Sequence, residues 1–250
     1  MVEDGVDEDK PRVEDVYQDK QWQEAMKEEY NSLIKNETWK LVDLPAGRAV
    51  VDNKWVLRVK RKPNGSVDRH KARLVAKGFT QRPGQDYGDT FAPVAKISRR
   101  NRSGAGAGPC KRKLKYLDVK TAFLQGRLEE VLYMKQPRYF EEDDERVWEL
   151  QKPIYGLKQS SRCWNKRAHE TFTKIGLKRT RSDYCVYVLR REKEVAFLLC
   201  WVDDLLLACN SAKLEEEITS NLTAELEIRD LGPLSFFLGF EFTETHEGYT

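Results

Sequence analysis

The run Val195–Cys209, VAFLLCWVDDLLLAC, decides how the rest of the chain is read. Thirteen of its fifteen residues are apolar, and the other two, Asp203 and Asp204, stand side by side in the middle. A membrane-spanning helix needs about 20 apolar residues, so the run is too short and its charges sit in the wrong place. Two short strands with a tight turn fit better, because apolar runs of about 4 to 8 residues suit strands buried by the rest of a domain. Adjacent carboxylates between such strands repel by about 4 kcal/mol at roughly 4 Å and an effective dielectric of 20. Two readings stay open on these residues alone. They are turn aspartates facing water, since Asp favours turns, or a divalent-metal site, since hard cations prefer carboxylate oxygens.

At 250 residues the chain can bury a sizeable core, as one domain with subdomains or two small domains. Charged residues make up 34% and mean hydropathy is -0.71, yet the apolar runs and six Trp argue for a core. With no signal peptide and no span, the expectation is a protein that is not secreted and makes no membrane contact, placed in the cytoplasm or nucleus. Five cysteines show no C-x-x-C and only three His are present, so no zinc spacing exists and buried reduced thiols are expected. Charge is unevenly spread. Residues 1–15 carry a net -5, whereas Lys54 to Lys115 holds eighteen Lys and Arg against Asp68, Asp86 and Asp89, a net +15. Such a block is either a solvated face or the electrostatic footprint of a phosphate-binding surface.

Residues 1–17 read as an acidic, disordered leader. Trp22, Ala25, Met26, Glu29, Leu33 and Ile34 keep helical spacing and predict an amphipathic helix to about Asn36. In KWVLRVKRKPNGSVDRHKARLVAKG, alternation on either side of Pro63-Asn64-Gly65 predicts a hairpin with one mostly basic face, its second strand running from Ser66 to Lys77. Lys60, Lys62 and Arg73 are its candidates for phosphate, the Arg fork suiting phosphate best. Residues 98–113, SRRNRSGAGAGPCKRK, have the composition of an irregular basic Gly/Ala loop. Leu114 to Val119 read as a strand bearing Asp118 near its end, with a turn from Thr121 and another strand from Val131. After Pro153 a helix carries Trp164, Ala168 and Phe172, with Ser160 or Ser161 as N-cap and Gln159 at its mouth. A further helix carries Leu214, Ile218, Leu222 and Leu226, and LGPLSFFLGFEF reads as a last strand. The irregular mixture of strands and helices predicts an α+β fold.

The motifs KARLVAKGFTQ, FAPVAK, LDVKTAFLQG, YGLKQ, WVDDLLLA and LGPLSFFLGFEF occur in this order. Together they resemble the reverse transcriptase domain of copia-type LTR retrotransposon Pol polyproteins, from about Trp22 to Phe242. The resemblance implies a right-hand polymerase, with residues 18–97 mainly fingers and 114–250 mainly a palm with a mixed or antiparallel sheet. The palm would end at the primer-grip-like strand LGFEF, with the thumb absent. It implies an RNA-directed DNA polymerase, a nucleotidyltransferase working on an RNA or DNA template with primer and on deoxynucleoside triphosphates. Asp118, Asp203 and Asp204 would be its catalytic carboxylates. These, with the carbonyl of Val119, would hold two Mg2+ ions, Mn2+ being a substitute. Phe123 would be the steric gate against a 2′-hydroxyl. Gln159 would contact the templating pair or incoming nucleotide, and Arg73, with Lys60 or Lys62, would bind the triphosphate.

Two departures bear on activity. The family usually has Tyr before Val-Asp-Asp, where this chain has Trp201, which keeps a ring and loses a hydroxyl. The family also has an apolar helix-forming segment where 98–113 stands, and this stretch contains no Leu, Val or Ile. A fragment of weak or no activity is therefore expected. The alternatives are a non-catalytic nucleic-acid-binding remnant and a product that never folds stably.

Overall fold

The structure, a computed structural model, describes residues 9, 11–62, 64–95, 113–142, 145–237, 240–245 and 248–249. The loop reading of 98–113 thus falls almost entirely outside the described residues. In chain order come α1 (Val13–Val16), α2 (Lys20–Lys35), β1 (Trp39–Val42), β2 (Val50–Val51), β3 (Asn53–Arg61) and β4 (Val67–Ala76). Next are β5 (Lys113–Val119), β6 (Leu132–Met134), β7 (Val147–Leu150) and α3 (Ser160–Lys174). Then follow β8 (Lys178–Arg179), β9 (Val186–Arg191), β10 (Glu194–Trp201), β11 (Asp204–Cys209), α4 (Ala212–Glu225) and β12 (Ile228–Pro233). The content is α+β with antiparallel and parallel pairing, as expected. No helix among the described residues is long and apolar enough to cross a membrane.

The chain forms two compact units, one of residues 1–90 and 126–163, the other of 91–125 and 164–250. This differs from the linear division at 97 and 114. The reason is strand pairing: β7 pairs antiparallel with β1, and β6 pairs parallel with β2, so 126–163 returns to the first unit. Strands of two to four residues from distant segments leave no periodicity to read.

In the first unit β3 and β4 form the expected hairpin, two-stranded and antiparallel. Its apolar face, Trp55, Leu57, Ala72 and Leu74, is buried. Trp22 of α2 lies edge-on to His70 of that face at 4.4 Å. Helix α2 starts where Asp19 accepts a hydrogen bond from the Gln21 N–H (2.8 Å). The described part of the leader is not without structure: Val13 is buried in α1, and Tyr17 stacks on Tyr139 at 3.6 Å.

The second unit is built on an antiparallel six-stranded sheet in the order β12-β5-β11-β10-β9-β8. Its core joins Leu117, Leu198, Leu205 and Leu207 to Trp164 and Phe172 of α3 and to Leu214, Ile218 and Leu222 of α4. Burial alternates along β10 from Val195 onward and along β11, although both faces are largely apolar in sequence. The N-cap of α4 is Ser211, which accepts from the Leu214 N–H (3.3 Å). Ser160 does not cap α3 in that way; its hydroxyl donates to the Ile154 carbonyl (2.5 Å). LGPLSFFLGFEF is not one strand. It finishes β12 and continues as the short pair Phe236–Phe237 with Phe240–Glu241. Cys163, Cys185, Cys200 and Cys209 are buried free thiols, and burial pushes Cys200 up to about 12, which leaves it unreactive.

Candidate active site

The decisive run folds as the hairpin β10–β11. Register pairs Trp201 with Asp204 and leaves Val202-Asp203 as a two-residue turn. Val202 takes φ 55, the left-handed region that a β-branched residue avoids, at the turn position where type II′ hairpins favour Gly. The turn is held from two sides. The buried indole of Trp164 donates to the Val202 carbonyl (2.6 Å), and the Val119 N–H donates to the Asp203 carbonyl (2.8 Å). On the neighbouring strand Asp118 lies directly opposite Asp204. Asp118, Val119, Asp203 and Asp204 are thus brought to one end of the sheet, two of the acids across a strand pair and the third in the turn beside them.

Burial raises the Asp204 carboxyl above its ordinary range, and Asp203 and Asp118 raise it further by like-charge repulsion. The Tyr116 hydroxyl opposes this by donating a hydrogen bond to Asp204 Oδ1. Burial, that bond and the three carboxylates push the Tyr116 phenol up, so it stays a donor. Among the described residues no three His, Cys, Asp or Glu side chains are gathered closely enough to hold a metal ion as they stand. The donor chemistry still suits a hard cation: oxygen ligands only, and carboxylates whose mutual repulsion a cation would relieve. Phe123 is half-buried in a short 3-10 turn, Ala122–Gln125, packed against the core of this unit.

The remaining predicted residues lie in the first unit. Pairing of Lys54 with Val75, Val56 with Arg73, Arg58 with Lys71 and Lys60 with Arg69 puts six cations on one face of the ribbon. Burial pulls the half-buried Lys71 ammonium below its ordinary range, with Arg73, Arg69 and Lys60 adding repulsion. Lys62 sits in the turn, its N–H bonded to the Ser66 carbonyl (2.9 Å). The Arg73 guanidinium lies over the Tyr155 ring, 4.5 Å from its centroid, and donates to the Tyr155 hydroxyl (3.3 Å). Gln159 is 1% exposed and its amide is engaged internally. It accepts from Gln81 Nε2 (3.0 Å) and donates to the Asp86 carbonyl (2.9 Å) and to Glu130 Oε2 (3.3 Å).

Tyr116, Tyr155 and Gln81 were not singled out from sequence. Tyr116 carries a signal, since two residues before Asp118 on one strand is the same face. Gln81 and Tyr155 lie within two of the six motifs but have no spacing that reports their partners.

One unit thus presents two acids at a hairpin turn beside a third on the adjacent strand, and the other carries a ribbon with one cationic face. The family model described as reverse transcriptase (RNA-dependent DNA polymerase) matches residues 36–250, and the chain belongs to that family. It is 38% identical over 226 residues to the retrovirus-related Pol polyprotein from transposon RE1 of Arabidopsis thaliana, covering 89% of this chain and 15% of the relative. It is 39% identical over 224 residues to that from transposon TNT 1-94 of Nicotiana tabacum, covering 88% and 17%. A third such relative, from Arabidopsis transposon RE2, is 36% identical over 233 residues, covering 92% and 16%. The copia-type Pol resemblance drawn from the six motifs therefore holds, and the chain spans about one sixth of the length of these curated relatives.

Proposed function

We propose that the chain carries the fingers and palm of an RNA-directed DNA polymerase that extends a primer on an RNA or DNA template. The observation that carries this reading is Asp118 opposite Asp204, with Asp203 in the turn between β10 and β11. Asp118, Asp203, Asp204 and the Val119 carbonyl would hold the divalent ions. When bound, these would activate the primer 3′-oxygen and stabilise the leaving pyrophosphate. Arg73, assisted by Lys60 or Lys62, binds the triphosphate. Phe123 stands five residues after Asp118 and excludes a 2′-hydroxyl. Gln159 would have to release Gln81 and Asp86 to touch a base pair, so in the described arrangement it acts as internal support. Activity is weak, because 98–113 lacks the apolar face that the family has there.

Primer extension tests the reading. Asp118→Asn, Asp203→Asn and Asp204→Asn should each abolish extension and leave primer–template binding intact; full activity in Asp203→Asn would remove the assignment. In any preparation that extends, Phe123→Ala should admit ribonucleotides. A second reading, nucleic-acid binding without catalysis, is favoured by the cationic ribbon face, which needs no metal. It predicts binding with no extension at any Mg2+ or Mn2+ concentration.

A further inference from the structure

We propose that Tyr155 is a positioning residue for Arg73, presenting its guanidinium to the triphosphate with its charge uncancelled. This rests on Arg73 being the triphosphate ligand. Arg73 shares a ribbon face with Lys71 and Arg69, whose like charges push a free guanidinium away from its place. Among the described residues no carboxylate forms an ion pair with it. Glu29 attracts it through space, but Glu29 Oε1 accepts the Leu74 N–H (3.3 Å).

The group that does hold it is aromatic, through the ring face at 4.5 Å and the hydroxyl at 3.3 Å. The difference from a carboxylate matters chemically. A carboxylate would neutralise the cation and compete with phosphate for its paired N–H groups. A ring quadrupole attracts the cation, and the phenol occupies one of five donors, leaving the rest for an anion.

The ring itself is fixed by backbone. The Tyr155 carbonyl accepts the Ala76 N–H (2.8 Å), three residues along β4 from Arg73. Gly156 follows at φ +91, where a Cβ would stand 2.1 Å from the Ala76 carbonyl oxygen, so only Gly lets the segment approach this closely. A Cβ on Gly78 would likewise meet the Gly156 oxygen at 2.1 Å, and the Gln81–Gln159 bond closes the same contact three residues on. The motifs KGFTQ and YGLKQ are thus zipped together, and the ring of Tyr155 comes to rest under Arg73.

The test is calorimetric titration of the full chain with inorganic tripolyphosphate, using Arg73→Ala, Tyr155→Phe, Tyr155→Leu and the double variant, with melting curves to confirm folding. Tyr155→Leu should weaken binding about three- to tenfold. Tyr155→Phe, which keeps the ring, should lose less and serves if the Leu variant does not fold. In the Arg73→Ala background, changing Tyr155 should have no further effect. Where extension can be measured, Tyr155→Leu should raise KM for dNTP more than it lowers kcat. Unaltered tripolyphosphate binding in a folded Tyr155→Leu, or an equal loss with and without Arg73, would overturn the proposal while leaving the role of Arg73 standing. Binding unaffected by Arg73→Ala would instead remove the triphosphate assignment and this inference with it.

Discussion

Val202 is 45% exposed and sits at φ 55, so it contributes little burial and holds a backbone angle that costs on the order of 1–3 kcal/mol for a non-Gly residue. Val202→Gly should therefore raise stability by about 1 kcal/mol after the entropic cost of Gly, opposite in sign to most Val→Gly changes. Chemical denaturation measures it, and a clear loss would show the turn to be relaxed. Trp164→Phe keeps an aromatic ring in the core but shrinks a buried side chain and deletes the donor to the Val202 carbonyl, for a loss of about 1–3 kcal/mol. The share due to the bond, about 1 kcal/mol, should disappear when the same change is made in the Val202→Gly background if the turn there is free to move. At this scale the acids of the candidate site were legible, because charges inside an apolar run need an explanation whatever the fold. The strain at Val202 and the Tyr116–Asp204 bond were not. A positive φ on a β-branched residue has no sequence signature, and a tyrosine reaching diagonally across two strands depends on register that only the folded sheet defines.

Helix α2 and the β3–β4 ribbon form the element whose electrostatics is most readily tested. Glu29, half-buried beside the ribbon, accepts the Leu74 N–H, and burial holds its carboxyl above the usual range despite the pull of Arg73 and Lys71. A carboxyl raised on folding binds its proton more tightly in the folded state, so its ionisation costs stability above that raised value, and the cost is relieved as pH falls through it. Glu29→Gln keeps an acceptor oxygen and removes the charge. It should melt higher than the unaltered chain at pH 7, with the gain shrinking as pH is lowered toward the acid range. A gain independent of pH would assign the effect to packing. The ribbon was legible from strict alternation and the Asn-Gly turn, and α2 and α4 from helical spacing, since each buries one face. The sheet formed by β1, β7, β6 and β2 was not, because pairing between short, distant strands is set by tertiary packing. The segment 98–113 belongs here too. Exchanging it for a family-like helix with apolar residues on one face should raise the melting temperature by many degrees, at about 1.5–3 kcal/mol per fully buried side chain. Trp201→Tyr should hardly move it, since an aromatic is kept.

Over the whole chain the net +3 conceals a basic stretch of net +15 between Lys54 and Lys115. Part of that charge is already spent internally: Arg61 pairs with Asp9 at 2.7 Å and Lys77 with Asp52 at 2.7 Å. The six cations on the ribbon face, Lys54, Arg58, Lys60, Arg69, Lys71 and Arg73, are different in kind. They stand on one side of a two-stranded element whose other side is buried, and their repulsion is strong enough to help depress Lys71. A face of that sort gains most from a polyanion, which relieves the repulsion and releases its own counterions. If all six meet phosphates, the log–log dependence of duplex DNA affinity on salt should have a slope of about -5, at roughly -0.9 per phosphate. Changing Arg58 and Lys60 to Gln should reduce that slope by about 2 and weaken binding evenly across sequences. Asn at Asp118, Asp203 and Asp204 should leave the slope in place, because in the proposed function those carboxylates would hold cations and would not neutralise phosphates. A slope near zero in the unaltered chain would mean that the ribbon face is solvated surface, and binding would then have to come from residues outside it.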